Sequence, residues 1–522
     1  MTSEVVEFYR NKNVFLTGGT GFLGLTIIEK LLRSCPDVGN IYMLIRSKRG
    51  KSVQTRIEQL TKNPLFERLV NEKTEKVFSK LIPVIGDVAE KNLGISDEDR
   101  QNIIKNVHVV IHSAASLDFN QPLRTTVNIN LLGTRSVMEL CEQIKNIQAV
   151  VHISSAYVNS YLLETEEKLY PAPMDAEKLI ELVENSTDAE LEIMLPSILK
   201  DHPNTYTLTK HLAEHEVNQR INKFPCGIVR PSMITPVWRE PVPGWTNSKN
   251  GPQGFLMGAS KGVVRRLPVD VKVIYDHIPV DVVVNEVLVT AQYVNKIRYA
   301  LQYMYENKKK IDGKLTIFQC TSSTCNPFRW ELVYDRVGEF LHSNPIKSAV
   351  WYPNIKFHSS LIMYKISAIL LHFLPAIVLD FLLKLGGSRP ILFRLHKNIW
   401  QSLNLLQKFI FTEWKHDNTK TMELEAQLSK SDRDLFYLDV RPLKWDNYFE
   451  QMAKGVLLYL NNEHPKHLEA AKRKDRILFY IHIAFLILFN CFIWWAVAAL
   501  LGYPMQKVAF VAPLSYMLFR II

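Results

Sequence analysis

The sequence predicts an α/β protein: a doubly wound parallel sheet, then a smaller helical domain, then a transmembrane helix. Three observations carry that prediction. A short apolar run, Val14–Leu16, enters a turn with glycines at 18, 21 and 24 and leaves it as a helix. Further short apolar runs alternate with helical stretches to about residue 300, as strands joined by crossover helices do. Near the far end, Ile477–Tyr503 carries no charged residue.

Taken in order, Val14–Leu16 suits a strand buried on both faces, and Thr17–Gly21 a turn before a helix from Phe22 to about Arg33. Glycines there allow a tight turn and close approach to a pyrophosphate. The helix N-terminus adds unpaired N–H groups and a positive dipole end. The spacing is G-x-x-G-x-x-G, and its position between strand and helix makes it a dinucleotide signal. Ile41–Arg46 is the second strand. Where a carboxylate would accept from the ribose 2′-OH of NAD, this chain has Arg46, Lys48 and Arg49, with no acid between Ile41 and Lys51. That cluster suits a 2′-phosphate and so NADPH. Read blandly, it is a solvated basic loop.

Leu81–Asp87 is a third strand, with Asp87 and Val88 set to meet the adenine edge. Val107–His112 is a fourth, followed by the small residues Ser113, Ala114 and Ala115, which let the backbone lie close to a cofactor. A helix is expected from about Leu123 to Lys145. Ala149–Ser155 and Cys226–Pro231 are the fifth and sixth strands.

Ser155 lies at the fifth strand's end, and Tyr206 and Lys210 sit at i, i+4 on one face of a helix starting near Pro203. A carbonyl accepting hydride needs a proton at its oxygen. A phenol near pKa 10 donates poorly unless a neighbouring ammonium stabilises the phenolate. Ser155 can hydrogen-bond the same oxygen.

Composition narrows the partners. The 522 residues leave room for two or three domains. A net charge of +11 suits anionic partners, but with no basic arm or zinc-finger spacing, nucleic acid is not expected. The six cysteines are scattered, which argues against a disulfide framework or a metal and for a reducing compartment. Met1–Lys12 has no apolar core, so no signal peptide is expected.

The chain resembles an extended short-chain dehydrogenase/reductase and, more closely, the alcohol-forming fatty acyl-CoA reductases. The resemblance rests on the 14–24 turn, Y-T-L-T-K at 206–210, H-S-A-A-S-L-D-F at 112–119 and H-I-S-S-A-Y at 152–157. I-V-R-P-S at 228–232, P-G-W at 243–245 and similarity over 357–455 extend it. It implies a Rossmann-type NADPH-binding domain over 10–300 with substrate insertions at 164–202 and 233–275. Residues 301–356 continue the substrate region as a linker, and 357–455 form a helical C-terminal domain. The implied activity is four-electron reduction of a long-chain fatty acyl-CoA, through an aldehyde, to a primary alcohol for wax or ether lipid synthesis. Tyr206 is then the proton donor, Lys210 its electrostatic partner and ribose anchor, and Ser155 the oxyanion partner. Asn130 supports the Lys210 side of the relay. Thr17, Gly18, Thr20, Gly21, Phe22, Leu23, Gly24, Arg46, Asp87, Val88, Ala114, Lys210 and Pro231 line the cofactor. Rival readings are a sterol or other lipid dehydrogenase of this fold and a non-catalytic membrane scaffold.

Other motifs carry less. His211–His215 matches H-x-x-E-H but directly follows Lys210, so a surface helix face is expected rather than zinc. Asn185-Ser-Thr is a sequon expected to go unused. The acidic stretch Glu164–Glu192 reads equally as an amphipathic surface helix or a lid over an acyl channel. Lys261, Arg265 and Arg266 follow the flexible G-P-Q-G at 251–254 and read as a solvated basic face or a landing place for CoA phosphates.

Ile477–Tyr503, as a helix rising about 1.5 Å per residue, exceeds a roughly 30 Å hydrocarbon core. Lys472, Arg473, Lys474 and Arg476 precede it, which predicts a cytosol-facing catalytic portion on the peroxisomal or endoplasmic reticulum membrane. Val508–Ile522 is interfacial or a second crossing. Ser359–Leu383, broken by Lys365, His372, Pro375 and Asp380, packs or dips against the bilayer.

Overall fold

The computed structural model describes residues 3–46, 52–306 and 315–521. Contacts divide the chain into two units. The first holds Met1–Trp245, Ile274–Phe328 and Trp414–Lys444; the second holds Thr246–Val273, Arg329–Glu413 and Trp445–Ile522.

The first unit is built on a parallel sheet of strands β1 (Val14–Thr17), β2 (Ile41–Ile45), β3 (Leu81–Ile85), β4 (Val109–His112), β5 (Ala149–Ile153), β6 (Cys226–Pro231) and β7 (Thr316–Cys320). Their order is β7-β6-β5-β4-β1-β2-β3. Val14 pairs with Ile41 on one side and Val109 on the other, so the winding reverses at β1. In such a sheet that reversal opens the crevice where ligands sit. β1, β2, β4, β5 and β6 are buried along their whole length, which explains their unbroken apolar runs.

Six strands were expected by residue 300; the seventh, β7, lies in the stretch expected to be a linker. Its five residues, T-I-F-Q-C, are too short for periodicity to separate them from a loop. β7 pairs with β6, Thr316 opposite Gly227. A Cβ on Gly227 would meet Thr290 at 2.9 Å and Val294 at 3.0 Å. Its absence lets the helix Val280–Glu306 cross there.

Helices α1 (Phe22–Ser34), α2 (Gly133–Gln143), α3 (Thr205–Asn218) and α4 (Val280–Glu306) cover the sheet. The helix expected from Leu123 to Lys145 contains a π-helical turn, Val127–Leu132, before α2. The acidic insertion folds into two capped helices, Ala176–Asn185 and Asp188–Leu199. Leu179, Ile180, Val183, Leu191 and Ile198 pack with Leu123, Val127, Leu131, Leu208 and Leu212. Leu208 and Leu212 lie opposite the Tyr206–Lys210 face of α3, about 200° round the helix. The insertion thus buttresses the back of that helix.

Residues 414–444, expected within the C-terminal domain, cluster instead with the sheet unit. Lys415–His416 adds a short parallel pairing to Glu164–Thr165, and Trp414 Nε1 donates to the Ser160 carbonyl at 3.2 Å.

The second unit is mainly helical. The G-P-Q-G stretch, expected to be flexible, instead starts a helix: Gly251 caps Pro252–Ser260 and proline occupies its first turn. Further on come α5 (Leu361–Ala368), α6 (Leu374–Leu385), α7 (Leu392–Phe411), α8 (Leu468–Leu501) and α9 (Val511–Ile521). Leu361–Leu385 and Pro465–Leu501 are long and apolar enough to cross a membrane. α8 has 34 residues, about 50 Å at 1.5 Å per residue. α9, with 11 residues, is too short to cross. It folds back along α8, Ser515 Oγ donating to Asn490 Oδ1 at 2.5 Å.

Candidate active site

The glycine turn joins β1 to α1 at the carboxyl edge of the sheet. Gly18 has φ +73°, and a Cβ there would lie 2.9 Å from the Ala114 nitrogen. A Cβ on Gly24 would lie 2.2 Å from the Gly18 carbonyl oxygen, so glycine alone lets α1 press onto the turn. Gly21 caps α1 without a side-chain bond. The first-turn amides of α1, from Phe22 to Gly24, thus face outward as an anion cradle suited to a pyrophosphate. Phe22 stacks on the buried Trp245 of P-G-W, ring centroids 5.6 Å apart.

Thr17 contributes differently from the expectation of a cofactor contact. It is fully buried, and its hydroxyl accepts from the Ala114 N–H at 3.1 Å while lying 2.7 Å from His112 Nδ1. His112 Nε2 lies 3.0 Å from the Thr134 hydroxyl, which donates to the Asn130 carbonyl. The directions are set by elimination. Thr134 spends its hydrogen on Asn130, so His112 Nε2 is the donor and Nδ1 accepts from Thr17. Burial pushes His112 down to about 3, the Lys210 charge adding to it, so the ring is neutral.

At the adenosine end, Arg46 is exposed at the close of β2 and pairs with Asp87 beyond β3 at 3.9 Å. Lys48 and Arg49 lie outside the described residues. Val88 is buried against Gly133, where a Cβ would meet the Val88 carbonyl at 2.8 Å. Arg56 was not singled out from the sequence. Its guanidinium bonds the Arg46 carbonyl and reaches the Thr20 hydroxyl at 3.4 Å, joining β2 to the glycine turn. Ten residues past Arg46 and across a loop, it had no spacing to reveal it.

Ser155, Tyr206 and Lys210 do come together. Asn204 caps α3, its Oδ1 accepting from Thr207. Ser155 ends the β5 segment and caps a short 3₁₀ turn, its Oγ accepting from the Tyr157 N–H at 3.2 Å. The Ser155 side chain also hydrogen-bonds Tyr206. Burial pushes the Tyr206 phenol up to about 12 and the Ser155 bond lowers it in part. The Phe119 ring lies 5.6 Å from the Tyr206 ring. Lys210 is buried, and its Nζ donates to the Ile153 carbonyl at 2.6 Å. Burial brings it down to about 8 against the pull of the Glu214 carboxylate.

Asn130 lies in the π-helical turn and meets the residue beside Lys210, not Lys210 itself. Its Nδ2 donates to Thr209 Oγ1 at 3.1 Å, and its Oδ1 accepts from the Ser116 N–H at 2.9 Å. Thr209 in turn donates to the Thr205 carbonyl. From Ala114 through Thr17, His112, Thr134, Asn130 and Thr209, an unbroken set of hydrogen bonds ties the glycine turn to the helix carrying Tyr206.

H-x-x-E-H does not lie on a surface helix as expected. His211 and Glu214 are fully buried. Both histidines approach the Tyr170 carbonyl, at 3.4 Å and 3.0 Å. Glu214 turns away to take a bidentate ion pair from Arg230 at 2.8 Å and 2.6 Å and a bond from Ser154 at 2.6 Å. Burial pushes Glu214 up, but Arg230 and Ser154 outweigh it and hold it below the usual carboxylate range. A charged Arg230 inside an otherwise apolar strand was the available signal that a buried acid faces it. Among the described residues no group of three or more His, Cys, Asp or Glu is placed to hold a metal. Pro231 closes β6 at the same carboxyl edge.

Lys261, Arg265 and Arg266 belong to the second unit, and the arginines are not a solvated face. Arg266 is buried, and its guanidinium donates to the Asn354 carbonyl at 3.1 Å. Arg265 lies over the Trp351 ring at 5.8 Å, and its Nε is buried without a hydrogen-bond partner. Burial and their mutual repulsion bring Arg265 to about 10.

Two family models described as male sterility protein match the chain, one an NAD-binding model over residues 16–287 and one over 371–463. The chain is 53% identical over 100% of both sequences to CG8306 of Drosophila melanogaster, provisionally named a fatty acyl-CoA reductase. It is 35% identical to fatty acyl-CoA reductase 1 of Rattus norvegicus, over 94% of this chain and 92% of that one. Among solved structures it resembles the terminal reductase domain of the myxalamid pathway, with TM-score 0.53, 16% identity, and coverage of 86% of this chain and 91% of that one. The reductase domain of a Mycobacterium tuberculosis non-ribosomal peptide synthetase also gives TM-score 0.53, at 15% identity, over 88% and 96%. At these identities the two structures speak for the fold.

Proposed function

The chain belongs to the fatty acyl-CoA reductases, and on that premise we propose that it reduces a long-chain acyl-CoA with NADPH, through the aldehyde, to a primary alcohol. The observation that carries this reading is the buried Tyr206 hydroxyl against Ser155, with Lys210 one turn on, at the sheet edge that holds the glycine turn. NADPH, when bound, supplies the hydride in each of two steps. In the first, hydride adds to the thioester carbonyl, the C–S bond breaks, and the CoA thiolate takes a proton to leave the aldehyde. In the second, hydride adds to the aldehyde carbon and its oxygen takes a proton, giving the alcohol.

Ser155 and Tyr206 are placed to hold the carbonyl oxygen as charge develops on it. Tyr206 delivers the proton to the alkoxide, and the Lys210 ammonium eases that transfer by stabilising the phenolate. Arg46 and Arg56 favour a 2′-phosphate, which supports NADPH over NADH. Arg265, Arg266 and Lys261 are our candidates for the CoA phosphates, supported by the unpartnered Arg265 Nε. α8 would anchor the protein with its catalytic portion cytosolic, supported by the basic residues at 472–476. The alcohols made would serve wax or ether lipid synthesis.

Incubating the full-length protein with NADPH and a series of saturated acyl-CoAs tests the reading. The expected result is fatty alcohol, with two NADPH oxidised per acyl-CoA consumed. Aldehyde as the sole product, or oxidation of a sterol with no action on acyl-CoA, would overturn it.

A further inference from the structure

From Leu361 to Leu385 the chain forms one apolar rod of 25 residues, α5 and α6 joined by the π-helical turn Ile369–Phe373. Length and hydropathy alone make it a membrane span. Its neighbour argues otherwise. α7 runs back antiparallel along the rod: the Phe373 ring meets Phe393 at 5.7 Å and Trp400 at 5.6 Å, and Trp400 stacks on Tyr364 at 5.7 Å. Asp380 locks the pair by accepting from the N–H groups of Ile391, Leu392 and Phe393 at the start of α7. Whatever depth the rod reaches, α7 reaches with it. α7 exposes Arg394, Lys397, Gln401, Asn404, Gln407 and Lys408, and the rod itself exposes Lys365. Side chains of this kind are costly at the centre of a bilayer and are seldom turned toward lipid there.

The rod does not behave as a soluble surface either. Its most apolar window is 28% buried, and Ile369, Ile377, Phe381 and Leu385 are exposed by 52–71%. Lys384, Arg389 and Arg394 surround the tip, where Gly386 and Gly387 reverse the chain. A broad apolar face rimmed by cations matches the boundary of an anionic leaflet, with apolar side chains among acyl chains and cations at phosphates.

We propose that the hairpin 361–411 is a monotopic docking element, lying in the interface of an anionic lipid leaflet with both its ends on one side of the membrane. This goes beyond the α8 anchor and stands independently of the reaction proposed above. It gives the second unit a lipid contact along one leaflet, where an acyl substrate is dissolved.

The test uses full-length protein with Cys491→Ser, which removes the exposed native thiol, in sealed vesicles of phosphatidylcholine and phosphatidylserine. Ser388→Cys at the tip reports sidedness, and Phe381→Cys carrying an environment-sensitive fluorophore reports depth. Molecules with the sheet unit outward are identified by an N-terminal epitope tag reached by antibody added outside the vesicles, and circular dichroism shows that the variants are folded. The expected result is labelling of Ser388→Cys by an external impermeant maleimide, and quenching of the Phe381→Cys probe by nitroxide lipids. Labelling that needs opened vesicles would make the rod a span and overturn the proposal. External labelling without quenching would overturn it too, since that face would then meet protein or water. Equal quenching in pure phosphatidylcholine would overturn the role given to the cations.

Discussion

Tyr206 and Lys210 lie one helical turn apart, and burial moves their titrations apart, the phenol up to about 12 and the ammonium down to about 8. A phenol so hard to ionise depends on nearby charge to give up its proton. Lys210 carries that charge below about pH 8 and loses it above. The turnover rate should therefore fall as pH rises through about 8, with an apparent pKa near that of Lys210. Tyr206→Phe should lower kcat by about 10²–10⁴-fold while leaving NADPH binding nearly unchanged. Steady-state rates across pH and NADPH titration of the variant check both. On the proposed NADPH reading, Arg46 and Arg56 are the residues that would select the 2′-phosphate. Losing one charge-assisted bond costs about 1.5–3 kcal/mol, so Arg46→Ala should raise the NADPH KM about 10–100-fold and leave the NADH KM nearly unchanged. An equal rise for both cofactors would remove Arg46 from 2′-phosphate recognition.

Between elements, the segment 414–444 is held to the sheet by an acidic cluster. Thr421 Oγ1 lies 3.0 Å from Glu167 Oε1 and 2.8 Å from Glu286 Oε1. One hydroxyl hydrogen satisfies one of these contacts, so the other needs a proton on a carboxyl. Burial pushes both carboxyls up to about 7, Thr421 and other hydrogen bonds opposing it. These raised values set the sign. Between about pH 4.3, where an unfolded Glu titrates, and about pH 7, the folded protein holds more protons than the unfolded chain. Stability from this cluster is full below that window and is lost as pH rises through it. Glu286→Gln keeps the shape and removes one titration. Its Tm should exceed the wild-type value at about pH 8, and the gap should close toward about pH 5. Scanning calorimetry across that range checks it. Little of the cluster was legible in the sequence, because Glu167, Glu286 and Thr421 are far apart in the chain and no local pattern links them. The π-helical turn was hidden for a related reason. Val127–Leu132 has an ordinary helical composition, and the extra residue per turn shows only in the backbone bonds.

At the scale of the whole chain, the charge of +11 is not spread evenly over solvated faces. Arg265 and Arg266 are held in the second unit near one another, at a cost in burial that an anion would offset. Arg265→Ala should raise the acyl-CoA KM about tenfold or more. A free fatty aldehyde lacks the CoA phosphates, so its KM should not move. Steady-state kinetics with both substrates separates phosphate binding from damage to the fold. The residues of the candidate site were largely readable beforehand because each answers to local geometry. The glycines permit a turn, Tyr206 and Lys210 share a helix face at i, i+4, and an apolar run such as Val14–Leu16 marks a buried strand whatever surrounds it. What remained hidden depended on contacts between distant residues. These include β7 joining β6, residues 414–444 returning to the sheet, Glu214 facing Arg230, and α7 lying along 361–385. The sequence by itself determined the fold class, the turn and the Ser155–Tyr206–Lys210 set, since short-range sterics and periodicity encode them. Only the tertiary structure decided which charges are buried and which apolar helix has a polar partner, because burial and pairing belong to the packed chain and not to any one stretch of it.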